Sequence, residues 1–456
     1  MHPPYGRVAP RYMVVEVVMN IRISKLAALA LVGAFAATAR AEARAEFDNA
    51  GGSVRELVLG ARQSAKDDKT AAPEAVQVSA SANDQVERRI VVFDKSTSRS
   101  HRLSSVRNLG GTPTADLWLI NAVAVMSPKS AVRPMDARLA ATQGVLRVEK
   151  DYVQNWLVGA PAAQLPPALK ALPPAALDAP APEPQGQQTP WGIDRVNAKK
   201  AWAVTRGAGV KVAVVDTGVD FDHPDLKVAG GFNTIDNAKS FKDDNGHGSH
   251  VAGTIAAQDN DQGVVGIAPD VTLYGVKVLS AEGGGTFEDV IEGIQWAVEN
   301  RMDIANFSLG ASQGTPALQD AVKAAAAAGT AIIAAAGNSG RAVGYPAAYP
   351  ETIAVAASDA SDKVAYFSSR GPEVDIIAPG VNVQSTYMGG GYDSLSGTSM
   401  ATPHVVGLAA LAVAAKGVHG PEAIRAELTR AARKFPNVPA EQQGAGMVDA
   451  GELVKR

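Results

Sequence analysis

The sequence of 456 residues contains no cysteine. That absence excludes disulfides, thiolate chemistry and cysteine-ligated metal centres. It does not assign a reducing compartment, because a chain of this length can bury a core that needs no covalent staples. An excess of one charge is lacking as well: 43 basic residues face 46 acidic ones, for a net charge of −3, which gives no electrostatic footprint for nucleic acid. Long apolar runs are scarce. The run from Leu26 to Ala37 is shorter than the roughly 20 residues a membrane span needs, and no other continuous segment reads as long and apolar enough. What the chain does have is a hydrophobic fraction of 46%, too high for wholesale disorder and enough for more than one folded unit.

The composition changes along the chain. Residues 1–41 read as a leader and signal peptide: Arg22 and Lys25 precede the apolar run, and Ala39-Arg40-Ala41 offers the small residues a signal peptidase requires. Residues 42–87 show little apolar periodicity and are expected to be flexible. In residues 88–157, “RRIVVF” and “ADLWLINAVAVMS” predict strands, “VRPMDARLAAT” a helix, and “GVLRVEKDYVQNWL” a terminal strand region, the order of a small α+β unit. Residues 158–186 form an Ala/Pro-rich linker; 8 Pro and 9 Ala fill the 28 positions from 159 to 186. Residues 187–456 carry 21 basic and 29 acidic residues, net −8, so residues 1–186 carry +5.

In this last segment short apolar runs alternate with helical patterns. “VKVAVVD”, “DVTLYGVKVL”, “MDIANFSL” and “TAIIAAAG” read as buried strands; “GSHVAGTIAA”, “FEDVIEGIQWAVEN”, “PALQDAVKAAAAAG” and “TSMATPHVVGLAALAVAA” read as helices. The alternation predicts an α/β domain, a parallel β-sheet covered by helices on both faces. Sites in such sheets collect at the carboxyl ends of the strands, where Asp216, Asn306 and the Gly337-Asn338 turn are expected.

Three separated motifs suit one chemistry. Asp216-Thr217-Gly218 follows “VAVV”, His247 opens “HGSHVAGT”, and Ser399 lies at the start of the long helix in “GTSMATPH”. A serine hydroxyl becomes a useful nucleophile only when a base removes its proton, histidine has the pKa for that task, and a carboxylate can hold the histidine's tautomer. Each motif alone also fits a loop or a helix cap. His250 and His404 read as packing residues and His223 as a loop former. A histidine metal cluster beside Asp216 would leave the serine block unexplained.

From about Gln187 to Glu452 the chain resembles the subtilisin-like serine proteases. “VVDTGVD”, “HGSHVAGT” and “GTSMATPHVVG” match that family's three blocks, in its Asp–His–Ser order. The resemblance implies a secreted serine endopeptidase with Asp216 orienting the imidazole, His247 as general base and then acid, and Ser399 as nucleophile. Asn338 of “AAAGNSG” and the Ser399 N–H would form the oxyanion hole. Ser308, Leu309 and Gly310 would pair with an extended peptide; Ala335, Ala336 and Gly337 would wall the primary pocket, with Gly344 at its base. Small apolar walls without a carboxylate favour hydrophobic residues before the scissile bond. The upstream subsites would run along “VLSAEGGGTFED”.

The resemblance also implies a structural calcium site. Its ligands would be the Asp225 carboxylate, the Asn260 side chain, the Gln187 amide oxygen and the carbonyls of Gln258, Gln262 and Val264, an oxygen-only set suited to a hard cation. A second cation near Ala347, Tyr349 and Thr352 is a weaker expectation. No organic cofactor is implied. Residues 88–157 resemble the family's propeptide, which serves as intramolecular chaperone and inhibitor until cleaved away near Trp156-Leu157-Val158 or within the linker. The expected product is a monomer that acts on proteins and peptides outside the cytoplasm, in the periplasm or the medium. An inactive protein-binding relative, or an esterase or peptide ligase sharing the acyl-enzyme, are the competing readings.

Overall fold

The computed structural model describes residues 86–157 and 186–455. The expected signal peptide, the segment expected to be flexible (as far as residue 85) and nearly all of the expected linker lie outside the described residues. The small unit is β1 (Val86–Phe93), α1 (Arg99–Asn108), β2 (Thr112–Leu117), β3 (Ala122–Pro128), α2 (Lys129–Ala140) and β4 (Val145–Asp151). Its strands form a four-stranded sheet in the order β2-β3-β1-β4, with β1 antiparallel to both neighbours.

Period-two alternation gives this sheet two apolar faces. Val91, Phe93, Val123 and Val125 point to α1 and α2 and close a core with Val106, Val132, Met135 and Leu139. Ile90, Val92, Ala122 and Ala124 point the other way, into the core of the large domain. There the sheet lies on α4 (Phe287–Glu299) and α5 (Pro316–Ala327). Three carboxylate contacts join the units at helix N-termini: Asp151 Oδ1 accepts from the N–H groups of Phe287 and Glu288, and Glu149 Oε2 accepts from the N–H of Ala317. Negative groups are favoured there by the unsatisfied first-turn donors and the helix dipole.

The large domain is built on a parallel seven-stranded sheet in the order β13-β12-β11-β10-β6-β8-β7. Its strands are β6 (Lys211–Asp216), β7 (Val228–Asn233), β8 (Thr272–Lys277), β10 (Ile304–Phe307), β11 (Ala331–Ala335), β12 (Ile353–Ser358) and β13 (Val374–Pro379). β6, β8, β10 and β11 are the four apolar runs predicted as strands. β14 (Val383–Tyr387) and β15 (Gly391–Leu395) make a separate hairpin. α3 (His247–Ala256) packs on β14 and against α6 (Thr398–Lys416), which crosses the sheet at β10 to β13. Among the described residues α6 alone is long and apolar enough to cross a membrane, a correction to the reading of the sequence. It is covered by the sheet, α3 and α7 (Pro421–Ala431), so its apolar circumference is core surface.

Candidate active site

Asp216 is the last residue of β6 and wholly buried. Its Oδ1 accepts from the Thr217 N–H at 2.7 Å and is paired at 2.8 Å with His247 Nδ1. The hydrogen bond to the carboxylate puts a proton on Nδ1 and leaves Nε2 as the nitrogen able to take one. Burial pushes the His247 pKa down, but the charge of Asp216, its hydrogen bond and the charge of Asp243 outweigh that and leave it raised. His247 is the first residue of α3, entered through Gly246 at φ 102°. A side chain at 246 would run into the Tyr387 ring, whose hydroxyl donates to the Asn245 carbonyl at 3.0 Å.

Ser399 is the second residue of α6, so its N–H belongs to the first-turn donors with no partner inside the helix. The Ser399 Oγ donates to the Ser308 carbonyl at 3.1 Å, and the Ser308 Oγ donates to the Ser399 carbonyl at 2.7 Å. The second bond has a covalent cause. Four residues on stands Pro403, which has no N–H to give the Ser399 carbonyl in the helix ladder. Asn306 Nδ2 in turn donates to the Ser308 Oγ at 2.9 Å. Asn338 sits next to the start of α6: its Oδ1 accepts from both the N–H and the hydroxyl of Thr398 at 2.9 Å. With that oxygen held, the orientation of the amide nitrogen is set. Thr398 also accepts from the Gly337 N–H at 3.1 Å, tying the pocket wall to the same helix end.

The predicted peptide groove holds a piece of this chain. β5 (Gln154–Asn155) pairs antiparallel with β9 (Gly284–Gly285). Trp156 donates its N–H to the Gly283 carbonyl at 2.9 Å, and its own carbonyl accepts from the Gly310 N–H at 3.0 Å. Its indole is buried edge-on against Phe287 and donates to the Gly285 carbonyl at 3.0 Å. Gly284 and Gly285 of “VLSAEGGGTFED” thus serve as a strand partner. Leu309 is buried beside Gly310; Ala335 and Ala336 are buried at and just past the end of β11. Gly344 donates to the Ala336 carbonyl at 2.9 Å, and a Cβ at 344 would lie 2.9 Å from the Ala311 carbonyl. Only glycine fits that approach.

The six predicted cation ligands are also neighbours. Gln187 Oε1 accepts from the N–H groups of Asn260 and Asp261, Asn260 Nδ2 donates to Asp225 Oδ1, and Val264 N–H donates to Asp225 Oδ2 at 2.9 Å. The Gln258 N–H reaches the Asp225 carbonyl, and the Gln262 N–H reaches Asn260 Oδ1. Asp225 is fully buried, forms no ion pair among the described residues, and is pushed up to about 6 by burial against these neutral donors. Near 347–352 the carbonyls of Pro346, Ala347 and Tyr349 converge on the Thr352 hydroxyl, while Arg425 donates to the carbonyls of Pro350 and Thr352.

His250, His404 and His223 are held by backbone groups and take no part in the Asp216–His247 pair. His250 lies inside the core with Nε2 on the Val383 carbonyl at 2.9 Å, and burial pushes it down to about 3. His404 binds the Met400 carbonyl and is pushed down to about 4. His223 accepts from the Asp225 N–H and stacks edge-on against Tyr392. Sequence reasoning missed Asp243, Lys277 and the burial of Trp156. The turn signature “DDNG” before His247 was the available hint for Asp243.

A buried Asp–His pair at the exit of a parallel strand, beside a serine opening a core helix, is the construction of a serine hydrolase. The subtilase family model matches residues 207–446. The thermostable alkaline protease of Halalkalibacterium halodurans is 47% identical over 271 residues, 59% of this chain and 74% of that protein. Alkaline elastase YaB of a Bacillus species is 48% identical over 266 residues, 58% of this chain and 70% of its own length. Subtilisin DY of Bacillus licheniformis is 49% identical over 231 residues, 49% of this chain and 84% of its own. The chain belongs to the subtilase family of serine-type endopeptidases.

Proposed function

We propose that the chain is an exported zymogen of an endopeptidase that cleaves peptide bonds after hydrophobic residues through Asp216, His247 and Ser399. The observation that carries this reading is the 2.8 Å contact between the buried Asp216 and His247 Nδ1, with Ser399 on the adjoining helix. His247 Nε2 takes the Ser399 proton as Oγ attacks the peptide carbonyl. The Oγ first leaves the Ser308 carbonyl, so the hydroxyl must turn when substrate arrives. Asn338 Nδ2 and the Ser399 N–H donate to the oxyanion, where charge grows in the transition state. Protonated His247 then gives its proton to the leaving amine, and water releases the acyl group by the reverse sequence.

Residues 88–157 act as the propeptide. The pairing of Gln154–Asn155 with Gly284–Gly285, and of Trp156 with Gly310, supports this: the segment lies where an extended substrate would lie. It also supports pairing of substrates as an added strand. The pocket walled by Ala335, Ala336 and Gly337, with Gly344 beneath, favours an apolar side chain before the scissile bond.

A calcium ion fits the buried, uncompensated carboxylate of Asp225. Gln187, Asn260 and the carbonyls of Gln258, Gln262 and Val264 would complete its oxygen set. Such an ion would neutralise Asp225 and tie the chain at Gln187 to the loop from Gln258 to Val264; it takes no part in the proton transfers.

The test is hydrolysis of casein and of a peptide library by purified wild type and Ser399→Ala, with the amino terminus read by mass spectrometry. Proteolysis lost in Ser399→Ala, with cleavage after apolar residues in wild type, supports the reading. Near-wild-type proteolysis in Ser399→Ala overturns it.

A further inference from the structure

Asp243 lies in the loop between β7 and α3 and is 6% exposed. Both of its carboxylate oxygens are in use. Oδ1 accepts from the Thr217 hydroxyl at 2.9 Å and from the N–H groups of Asn245 and Gly246 at 3.0 Å. Oδ2 accepts from the N–H of Ser249 at 2.9 Å and from its hydroxyl at 2.6 Å. The Thr217 hydroxyl also receives the Gly248 N–H at 2.9 Å, while the Thr217 N–H donates to Asp216. One side chain therefore joins the turn after Asp216 to the two residues before His247 and to the first turn of α3.

We propose that Asp243 is a positioning residue for the Asp216–His247 pair, holding the two turns in register and supplying a second negative charge to the imidazolium that forms during turnover. The inference rests on the triad proposed above. Five charge-assisted hydrogen bonds offset the cost of burying this carboxylate, and a fully satisfied network of that kind makes the turns around it rigid. The fixed geometry is that of the proton acceptor, and displacements of about 1 Å there cost on the order of a hundredfold in rate.

The electrostatic surroundings agree. The Lys277 ammonium on β8 donates to the carbonyls of Thr217 and Leu279 and to Asp244 Oδ1, so its charge is balanced by Asp244, and the adjacent Lys242 is paired with Asp220 and Asp222. Asp243 forms no ion pair among the described residues. His250, one turn along α3, is held neutral by burial, Asp216 lies on β6, and on β14 the Tyr387 hydroxyl is raised by burial and by the charges of Asp393 and Asp243. Among the charges that act on His247, that of Asp243 raises its pKa beside that of Asp216, against the opposing effect of burial.

The experiment compares the full chain, expressed and matured as wild type, with Asp243→Asn and Thr217→Val. It measures kcat and KM on a chromogenic peptide from pH 5 to 10, with thermal denaturation of each protein. Asp243→Asn is expected to lower kcat on the order of tenfold or more with KM little changed, and to move the acid limb of kcat/KM to lower pH. Thr217→Val keeps the charge and removes the hydroxyl bridge, so kcat should fall while the acid limb stays. A folded Asp243→Asn protein with wild-type kcat and acid limb overturns the proposal, and so does an acid limb unmoved in both variants. Should Asp243→Asn not fold, Thr217→Val decides: wild-type kcat there overturns the clamp, and a lowered kcat with an unmoved limb supports it. Ser399→Ala is assayed alongside; activity retained in that variant identifies failure of the triad rather than of Asp243.

Discussion

Ser308 and Ser399 exchange hydrogen bonds, each hydroxyl donating to the other's carbonyl, at 2.7 and 3.1 Å. One residue belongs to the segment after β10 and the other to α6, so the exchange fastens the proposed nucleophile to the proposed substrate strand. Pro403 makes it necessary by withholding the helical N–H that would otherwise reach the Ser399 carbonyl.

Ser308→Ala should therefore destabilise the mature enzyme by about 1–3 kcal/mol, the cost of leaving a part-buried acceptor without its donor. Turnover should fall with it, because the first turn of α6 loosens. Thermal denaturation and kcat on a peptide substrate read both effects. An unchanged melting temperature with unchanged kcat would show that the exchange does not position Ser399.

Ser399→Ala should abolish proteolysis and leave the small unit attached, since it deletes the hydroxyl and little volume. Gel analysis of the purified variant should show the uncleaved chain, and circular dichroism should show a folded one. A processed Ser399→Ala product would mean that the cleavage is done by another protease.

A calcium ion on Asp225 would couple its binding to pH. The Asp225 pKa, raised to about 6 by burial, means that without a cation its contribution to stability is full below the ordinary carboxylate range near about 4 and is lost as pH rises through about 6. In chelator the mature enzyme should inactivate at lower temperature at pH 8 than at pH 5.5. Calcium should remove that loss by binding the folded, ionised site, and magnesium should not. Asp225→Asn should be insensitive to both pH and calcium in this range. Wild-type inactivation that is independent of calcium at pH 8 would refute the site.

The seam between the small unit and α4 should respond to pH in the same sense. Burial raises Asp151 to about 6 and Glu288 to about 7, with Arg88 the opposing cation at 3.1 Å from Glu288. Asp289, half-buried and raised, and Glu292, raised to about 8, crowd the same helix. Raised carboxyl pKa values stabilise docking at low pH, and the contribution disappears as pH climbs through about 6 to 7. In the intact Ser399→Ala chain, acrylamide quenching of Trp156 fluorescence, corrected with Trp156→Phe, should increase from pH 5 to pH 8. Glu288→Gln should flatten that rise. Quenching that is constant with pH in wild type would contradict the assignment.

The sheet and the site differ in how much of them is legible. β6 and β11 are buried on both faces, so each is written as a near-continuous apolar run, and Asp216 stands at the end of the first while Ser399 opens the apolar run of α6. α1 reads “RSHRLSSVRN”, with too few apolar residues for a periodic stripe; it is held by Arg102, buried in bonds to the Thr97 carbonyl, Asn121 and Asp116. The β14–β15 hairpin hides for a similar reason, because Ser385 and Thr386 are buried by donating to the carbonyls of His250 and Ser249. Asp243 and Asp244 are adjacent and chemically identical. One faces inward and one lies 53% exposed on Lys277, a distinction made by the turn and by partners distant in sequence.

The two dry faces of the small sheet carry a consequence for time rather than for structure. Ile90, Val92, Leu117 and Ile120 are covered only while the large domain lies beneath them. Once apart, the unit would present that apolar face to water, a patch of the kind that marks an interaction surface or an aggregation liability. A cleaved unit that loses this cover would be slow to find it again if other surfaces take the face first, so release after cleavage would run in one direction.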